Sequence, residues 1–547
     1  MAPPAVAKPR PQPVSTTGAT LLTPQWFVAT DKFPARIGNT IQPLVDGEQT
    51  FAEIHDAIVH AEKSVHIVIW WFEPGLRLRR GSISAADKTL GELLVECGKR
   101  GVQVRIIVWA TSLALTSPVN VSIPIIPLPP ALLPEAAQLK FQLNWNHDKQ
   151  DHAWIEAARA GKFKNIQLIA DGSGLLGSHH QKAIAIDGGD PAKCVAFVMG
   201  MNLKRTDWDR SDHTYTQGQR DPKQGPRHDL SALVRGPVSF DVDRNFRERW
   251  NALDTAEKLP DLGSYDLAVA SKRGGVTRTA QLLRTMPDDD FFYPEAVEAN
   301  IITCYLRAIG NAQKYIYIED QYFRSLEISA ALVARKMIRP DLQLIVITMQ
   351  ESALSPISTN TMLAMAPVHI AYGSSFYKLM VSGESTGLFG GTAYTDVNVH
   401  AKIMIVDDVF MVIGSANIHD RGMHHDSELV VAALDPERAA QLRVQLWGEH
   451  LQPSGAALGD VSAGIALWRA RATENARLHK ADRRRPPSGI LRHVPPPPTH
   501  HLGDPGHDIH AGKQCERRDR GARRPAWPCV LDPLARVPGL HTDGSRV

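Results

Sequence analysis

The amino-acid sequence predicts an α/β protein built from two related domains, and three observations carry that expectation. Helix and strand signals alternate in the same order in two stretches of the chain. A His-x-Lys-x4-Asp pattern occurs in each stretch, and an Ala-x-Lys triplet precedes the leading strand of both, at Ala61 to Lys63 and Ala312 to Lys314. With 547 residues, 43% of them hydrophobic, the chain is long enough for two or three cored domains. The boundaries expected are an ill-ordered Pro/Ala/Thr-rich segment over 1–38, a first domain over 39–255, a linker over 256–289, a second domain over 290–475 and a basic tail over 476–547.

In the first domain, Phe51 to Ala61 has the spacing of an amphipathic helix, and Val65 to Phe72 reads as a buried strand. Leu90 to Lys99 is a second helix stopped by Gly101, and Val102 to Trp109 a second strand. The second domain repeats this with helix signals at Ala296 to Ala312 and Ile328 to Met337 and strand signals opening at Tyr315 and spanning Leu342 to Met349. Prolines between Leu113 and Leu139 rule out a long helix there, leaving a buried connection or an apolar loop that touches lipid. Ser355 to Asp396, rich in Ser, Gly and Thr, reads as a loop lining a mouth.

The duplicated motif carries the chemistry. Its copies are His180-Gln181-Lys182 with Asp187, leading to Gly200-Met201-Asn202, and His400-Ala401-Lys402 with Asp407, leading to Gly414-Ser415-Ala416-Asn417. A single copy arises by chance at roughly one position in ten thousand, but two with similar sequels do not. Ala183 to Ile186 and Ile403 to Val406 are apolar runs that start at the lysine and end at the aspartate, so His and Lys open a strand and share one face. Histidine can attack or protonate, lysine neutralises, and asparagine donates hydrogen bonds, a set suited to a phosphodiester.

Composition bounds the rest. Five scattered cysteines give no disulfide framework or zinc spacing, so reduced thiols are expected. No signal-like N-terminus or bilayer-spanning apolar run is present, which predicts a protein without a signal peptide, cytoplasmic or exported by a signal-independent route, working peripherally on membranes. The net charge is +3, but the tail from Arg477 holds fourteen Lys and Arg against seven Asp and Glu, so residues 1–476 carry −4. That balance disfavours a nonspecific nuclease, and no nucleic-acid partner is expected.

The two His-Lys-Asp motifs resemble those of the phospholipase D superfamily. Pro43 to Gly47, Arg100 to Arg105, His228-Asp229 with Arg235-Gly236-Pro237, Ile318 to Phe323 and Leu446 to His450 resemble segments of its phospholipid-hydrolysing branch, over roughly residues 39–475. The resemblance implies a bilobed fold of two α/β/α sandwich domains meeting across a pseudo-twofold interface. It implies His180 as nucleophile through a phosphohistidine and His400 as acid and base. Lys182, Lys402, Asn202, Ser415 and Asn417 become phosphate ligands. Asp229 suits the first half and Glu428 the second as the acids that orient the histidines. Asp187 and Asp407 complete the catalytic motifs, with closure of a turn as the other reading of both. Met201 is expected to stand opposite Ser415, so that the first half lacks its hydroxyl.

The function expected is hydrolysis of a phosphatidylcholine-like lipid to phosphatidic acid and free head group, with exchange to alcohols. The work is expected of a monomer at a bilayer surface, without cofactor or metal. A cardiolipin synthase-like phosphatidyltransferase, a nuclease of the same superfamily and a noncatalytic lipid-binding scaffold are the rivals.

Overall fold

A computed structural model describes residues 26–80, 88–109, 149–171, 178–214, 219–221, 225–253, 255, 257–268, 278–287, 298–349, 358–384, 392–452, 458–481 and 491–493. The Leu113 to Leu139 segment and nearly all of the tail lie outside them.

The first sheet contains β1 (Arg36–Val45), β2 (Ser64–Ile69), β3 (Gln103–Trp109), β4 (Ile166–Asp171), β5 (Ala183–Ile186), β6 (Val195–Met199) and β7 (Leu230–Arg235). Its order is β4-β3-β2-β5-β6-β7-β1, with β2, β3 and β4 parallel and the remaining pairs antiparallel. The second sheet contains β8 (Arg278–Met286), β9 (Tyr315–Asp320), β10 (Gln343–Ile347), β11 (Phe376–Glu384), β12 (Lys402–Val406), β13 (Phe410–Gly414) and β14 (Glu428–Leu434). Its order, β11-β10-β9-β12-β13-β14-β8, repeats the first strand for strand and direction for direction. β1 also pairs with β8, which joins the two sheets.

The helices follow the same repeat. α1 (Asp46–Val59), α2 (Leu90–Arg100) and α3 (Lys149–Arg159) accompany the first sheet, and α4 (Pro237–Ala252) follows β7. α5 (Asn300–Asn311), α6 (Leu326–Ile338) and α7 (Ser358–Tyr372) accompany the second sheet, and α8 (Pro436–Leu451) follows β14 ahead of α9 (Val461–Ala481). α2 shows why such segments are helical. A reciprocal capping box between Thr89 and Glu92 opens it and left-handed Gly101 closes it. One core packs α1 and α2 on the first sheet, another packs α5 to α7 on the second, and a central core is shared by both sheets with α4, α8 and α9. This is the bilobed, helix-flanked mixed α/β architecture expected. No helix among the described residues is long and apolar enough to cross a membrane.

Three segments differ from expectation. Residues 26–35, inside the segment expected to be ill-ordered, pack on the second lobe. Phe27 is buried, and Val28 exchanges hydrogen bonds of 2.9 and 2.8 Å with the Gln281 side chain. The expected linker holds the central strand β8. Ser355 to Asp396 contains α7 and β11 rather than one long loop.

Candidate active site

Each motif histidine sits just ahead of a buried strand whose first or preceding residue is its lysine, and the chain before it pairs with the other lobe. Asn398 and Val399 run parallel to Arg227 and His228, and the His400 N–H donates to the His228 carbonyl at 2.7 Å. Likewise His179 pairs in parallel with Ser427, and the His180 N–H donates to the Ser427 carbonyl at 2.9 Å. These two short ribbons place each histidine beside the acid of the opposite lobe. His180 Nδ1 meets Glu428 Oε1 at 2.7 Å, and His400 Nδ1 meets Asp229 Oδ2 at 2.6 Å. The pairing expected within each half is therefore crossed. With Nδ1 engaged by a carboxylate, Nε2 is the reactive nitrogen of both rings.

Burial dominates the electrostatics. It holds His180 and His400 well below the usual imidazole range, helped by Lys182 and Lys402 beside His180 and by Arg227 and Lys402 beside His400. It also pushes Asp229 up to about 7 and Glu428 well above the carboxylate range. Lys182 is drawn down to about 7, again chiefly by burial, and Lys402 is lowered too. Each lysine Nζ donates to the carbonyl of its own histidine, at 2.8 Å for Lys182. The site thus favours neutral imidazoles and cheaply neutralised lysines until an anion enters.

Asn202 and Asn417 are buried, and their side-chain carbonyl oxygens have no hydrogen-bond partner among the described residues. Ser415 has another task. Its hydroxyl donates to Glu428 Oε2 at 2.5 Å and accepts the Leu429 N–H at 3.0 Å, so it braces the acid instead of reaching for phosphate. The residue opposite Ser415 is Gly200, not Met201. Gly200 N donates to the Leu230 carbonyl and Ser415 N to the Leu429 carbonyl, each at 2.9 Å. A Cβ on Gly200 would lie 2.4 Å from Asp229 Oδ1, so the glycine makes room for the shorter acid that does without a serine brace.

Asp187 and Asp407 are structural. Asp187 accepts backbone N–H bonds from Glu62, Lys63 and Ser64 at 2.7–3.1 Å. Asp407 does the same for Gln313, Lys314 and Tyr315 at 2.6–2.8 Å. Both sit in left-handed turns, φ 53° and 56°, at the strand end opposite the lysines. They pin the starts of β2 and β9, which explains the repeated Ala-x-Lys triplet without any contact to substrate. Asp187→Ala should cost about 3 kcal/mol of stability by chemical denaturation, while turnover per folded molecule stays within about threefold because no charge leaves the site.

Some residues near the site were not foreseen. Trp70 stacks on Trp109, with centroids 5.5 Å apart, and presents its edge to His180 at 5.9 Å. Arg249 donates to Ser427 Oγ at 2.7 Å and holds Asp171, fixing the ribbon behind His180. Behind His400 lie Asp46, His213, His228 and Glu449, whose ligand-type atoms all fall within 4.8 Å of one another. With Asp46 offering Oδ1 and Glu449 Oε1, three of their separations are 3.0, 3.2 and 3.2 Å. A tetrahedral site with bonds of about 2.0–2.1 Å has edges of about 3.3 Å, so these donors fit a divalent cation. Each imidazole also has a carboxylate on its far nitrogen, Asp209 at 3.1 Å and Glu319 at 2.6 Å. Without a cation, burial opposes protonation, but Asp46 and its neighbouring acids outweigh it, raising His213 to about 10 and His228 well above its usual range. Sequence spacing could not show this group, because its members come from three distant stretches of the chain, around Asp46, His213 to His228 and Glu449.

Family comparison matches residues 57–329 to the model described as Phospholipase D and residues 305–449 to Cardiolipin synthase, PLD-like domain. Curated relatives include Phospholipase D beta 1 of Arabidopsis thaliana, 24% identical over 73% of this chain and 48% of that protein. Phospholipase D alpha 1 of Nicotiana tabacum is 23% identical over 77% and 65%, and Phospholipase D A of Dictyostelium discoideum 26% over 77% and 36%. The chain thus spans about a third to two thirds of the length of these relatives. Among solved structures, phosphatidylserine synthase of Haemophilus influenzae aligns over 88% of this chain and 93% of its own at 11% identity and a TM-score of 0.45. Nuc, a phospholipase D family member from Salmonella typhimurium, covers 31% of this chain and 92% of its own at 19% identity and a TM-score of 0.23. With two overlapping family models running from residue 57 to 449 across both histidine motifs, the chain belongs to the phospholipase D superfamily.

Proposed function

We propose that the chain is a phospholipase D that cleaves the distal phosphodiester of glycerophospholipids, releasing phosphatidic acid and the head-group alcohol. The observation that carries this reading is the pair of crossed histidine–carboxylate contacts at one seam, flanked by Lys182 and Lys402. The similarity to phospholipase D enzymes supports the lipid as substrate. His180 Nε2 attacks phosphorus as the neutral imidazole that burial favours, and the bond to the head-group oxygen breaks as that oxygen takes a proton from His400 Nε2. The incoming phosphate charge raises the affinity of His400 for that proton and keeps both lysines charged. Lys182, Lys402 and the Asn202 and Asn417 side chains hold the non-bridging oxygens. Water then gives a proton to His400 and its oxygen displaces His180 from phosphorus, and an alcohol in place of water yields a phosphatidyl alcohol. Asp46, His213, His228 and Glu449 would hold a divalent cation behind Asp229, supplying fixed positive charge there, and no step above passes through it.

The reading places the chain at a bilayer surface with water or an alcohol as acceptor. Vesicles of phosphatidylcholine, phosphatidylserine or phosphatidylglycerol in ethanol-containing buffer should give phosphatidic acid and phosphatidylethanol. Absence of both products from every lipid, with plasmid DNA nicked under the same conditions, sinks the assignment.

A further inference from the structure

We propose that the His400 side of the site carries a head-group subsite, formed by the Arg227 guanidinium and the Asn398 side-chain carbonyl, that takes an amino-acid head group bearing both a carboxylate and an ammonium. Phosphatidylserine is the lipid with that chemistry. The inference rests on the phospholipase reading and departs from the phosphatidylcholine-like head group expected from sequence.

Its basis is a difference between the two ribbons. Arg227 and Asn398 are laterally paired in one, as Asp426 and Ser178 are aligned in the other. On the His180 side this pair satisfies itself. Asp426 Oδ1 accepts the Ser178 N–H at 2.7 Å, the Ser178 hydroxyl at 3.2 Å and Arg421 Nη2 at 2.8 Å. On the His400 side the equivalent atoms are left open. Among the described residues Arg227 Nε and Asn398 Oδ1 are buried with no hydrogen-bond partner, and the guanidinium has one ion contact there, Asp207 Oδ1 at 3.3 Å. A guanidinium offers five N–H donors, so most remain for a ligand. Buried polar atoms without partners are costly, and a donor and an acceptor carried by two laterally paired residues are explained by a ligand supplying the complement of each.

Position and length agree. Arg227 lies two residues before Asp229, and Asn398 two before His400, so both share the face on which His400 meets its acid. Two residues of extended chain span about 6.6 Å. In phosphoserine esters the carboxyl carbon is three bonds from the ester oxygen, and with bonds of about 1.5 Å plus a hydrogen bond of about 2.9 Å that reach is also roughly 6–7 Å. If His400 protonates the departing oxygen, the serine carboxylate meets Arg227 and its ammonium meets the Asn398 carbonyl. Choline offers no carboxylate and places a fixed cation beside the guanidinium. The stacked Trp70 and Trp109, which could cradle choline, stand on the His180 side, away from the departing alcohol.

The test uses mixed vesicles holding equal phosphatidylserine and phosphatidylcholine, with serine and choline release read from the same surface. The full-length chain should release serine about tenfold faster than choline, the worth of one charge-assisted contact. Arg227→Gln should bring that ratio to near unity, and Arg227→Lys should keep part of the preference. The ratio is internal to each variant, so partial loss of folded protein does not alter it. A ratio equal in the natural chain and Arg227→Gln overturns the proposal, and so does a parallel fall of both products, which assigns Arg227 to the phosphate. Release of neither head group by the natural chain defeats the phospholipase reading itself.

Discussion

Replacing His180 by Ala should lower turnover of a phospholipid by at least about 10⁴-fold and abolish any acid-labile, base-stable phosphoenzyme, because the substitution removes the nucleophile that forms the covalent bond. His400→Ala should behave differently. With a natural lipid, whose alkoxide leaves poorly without a proton, it should be nearly as slow. With a phosphatidyl p-nitrophenyl ester the leaving group needs no acid, so one equivalent of nitrophenol should appear in a burst and then stop, since water is no longer deprotonated. Peptide mapping of the quenched burst should place the phosphoryl group on His180. Label found on His400 alone would reverse the roles.

The second large effect separates the two acids. Glu428 touches His180 and Asp229 touches His400, so each acid serves the histidine of the opposite lobe. Glu428→Ala should slow phosphoenzyme formation by about 10³-fold or more even with the nitrophenyl ester, because the nucleophile loses the group that fixes its tautomer and carries its cation. Asp229→Ala should spare that burst and slow breakdown of the intermediate instead. Rapid-quench measurement of the two phases decides the matter. Were each acid to serve its own half, the two phenotypes would be exchanged.

Much of this was legible in the residues. Apolar runs as clean as Ala183 to Ile186 leave little choice but a buried strand, and the structure places β5 over those same residues. β8 escaped notice for the opposite reason. It carries Gln281 and Arg284 in its middle, which look unfit for a core. Gln281 spends its amide on the Val28 and Phe33 carbonyls, and Arg284 is met by Glu248 and Glu298, so both are buried at little cost. At the site, the types and positions of the histidines, lysines and acids could be read, but not the partner of each acid. That choice depends on how two lobes dock, with His180 and Glu428 248 residues apart. Ser415 shows a further limit, since a hydroxyl suits a phosphate and a carboxylate equally, and only the brace on Glu428 tells which it meets.

The crossed ribbons have a consequence for how such a chain could arise and be taken apart. Neither lobe owns a complete acid–base pair, so a lobe standing alone would be chemically mute whatever its stability. Joined halves read one another: the basicity of each imidazole reports on the seating of the opposite lobe. A chain with one motif would need a second copy of itself to work, whereas two copies in one chain can differ from each other. Gly200 standing where its counterpart is Ser415, and Arg227 where its counterpart is Asp426, are places where the two halves differ.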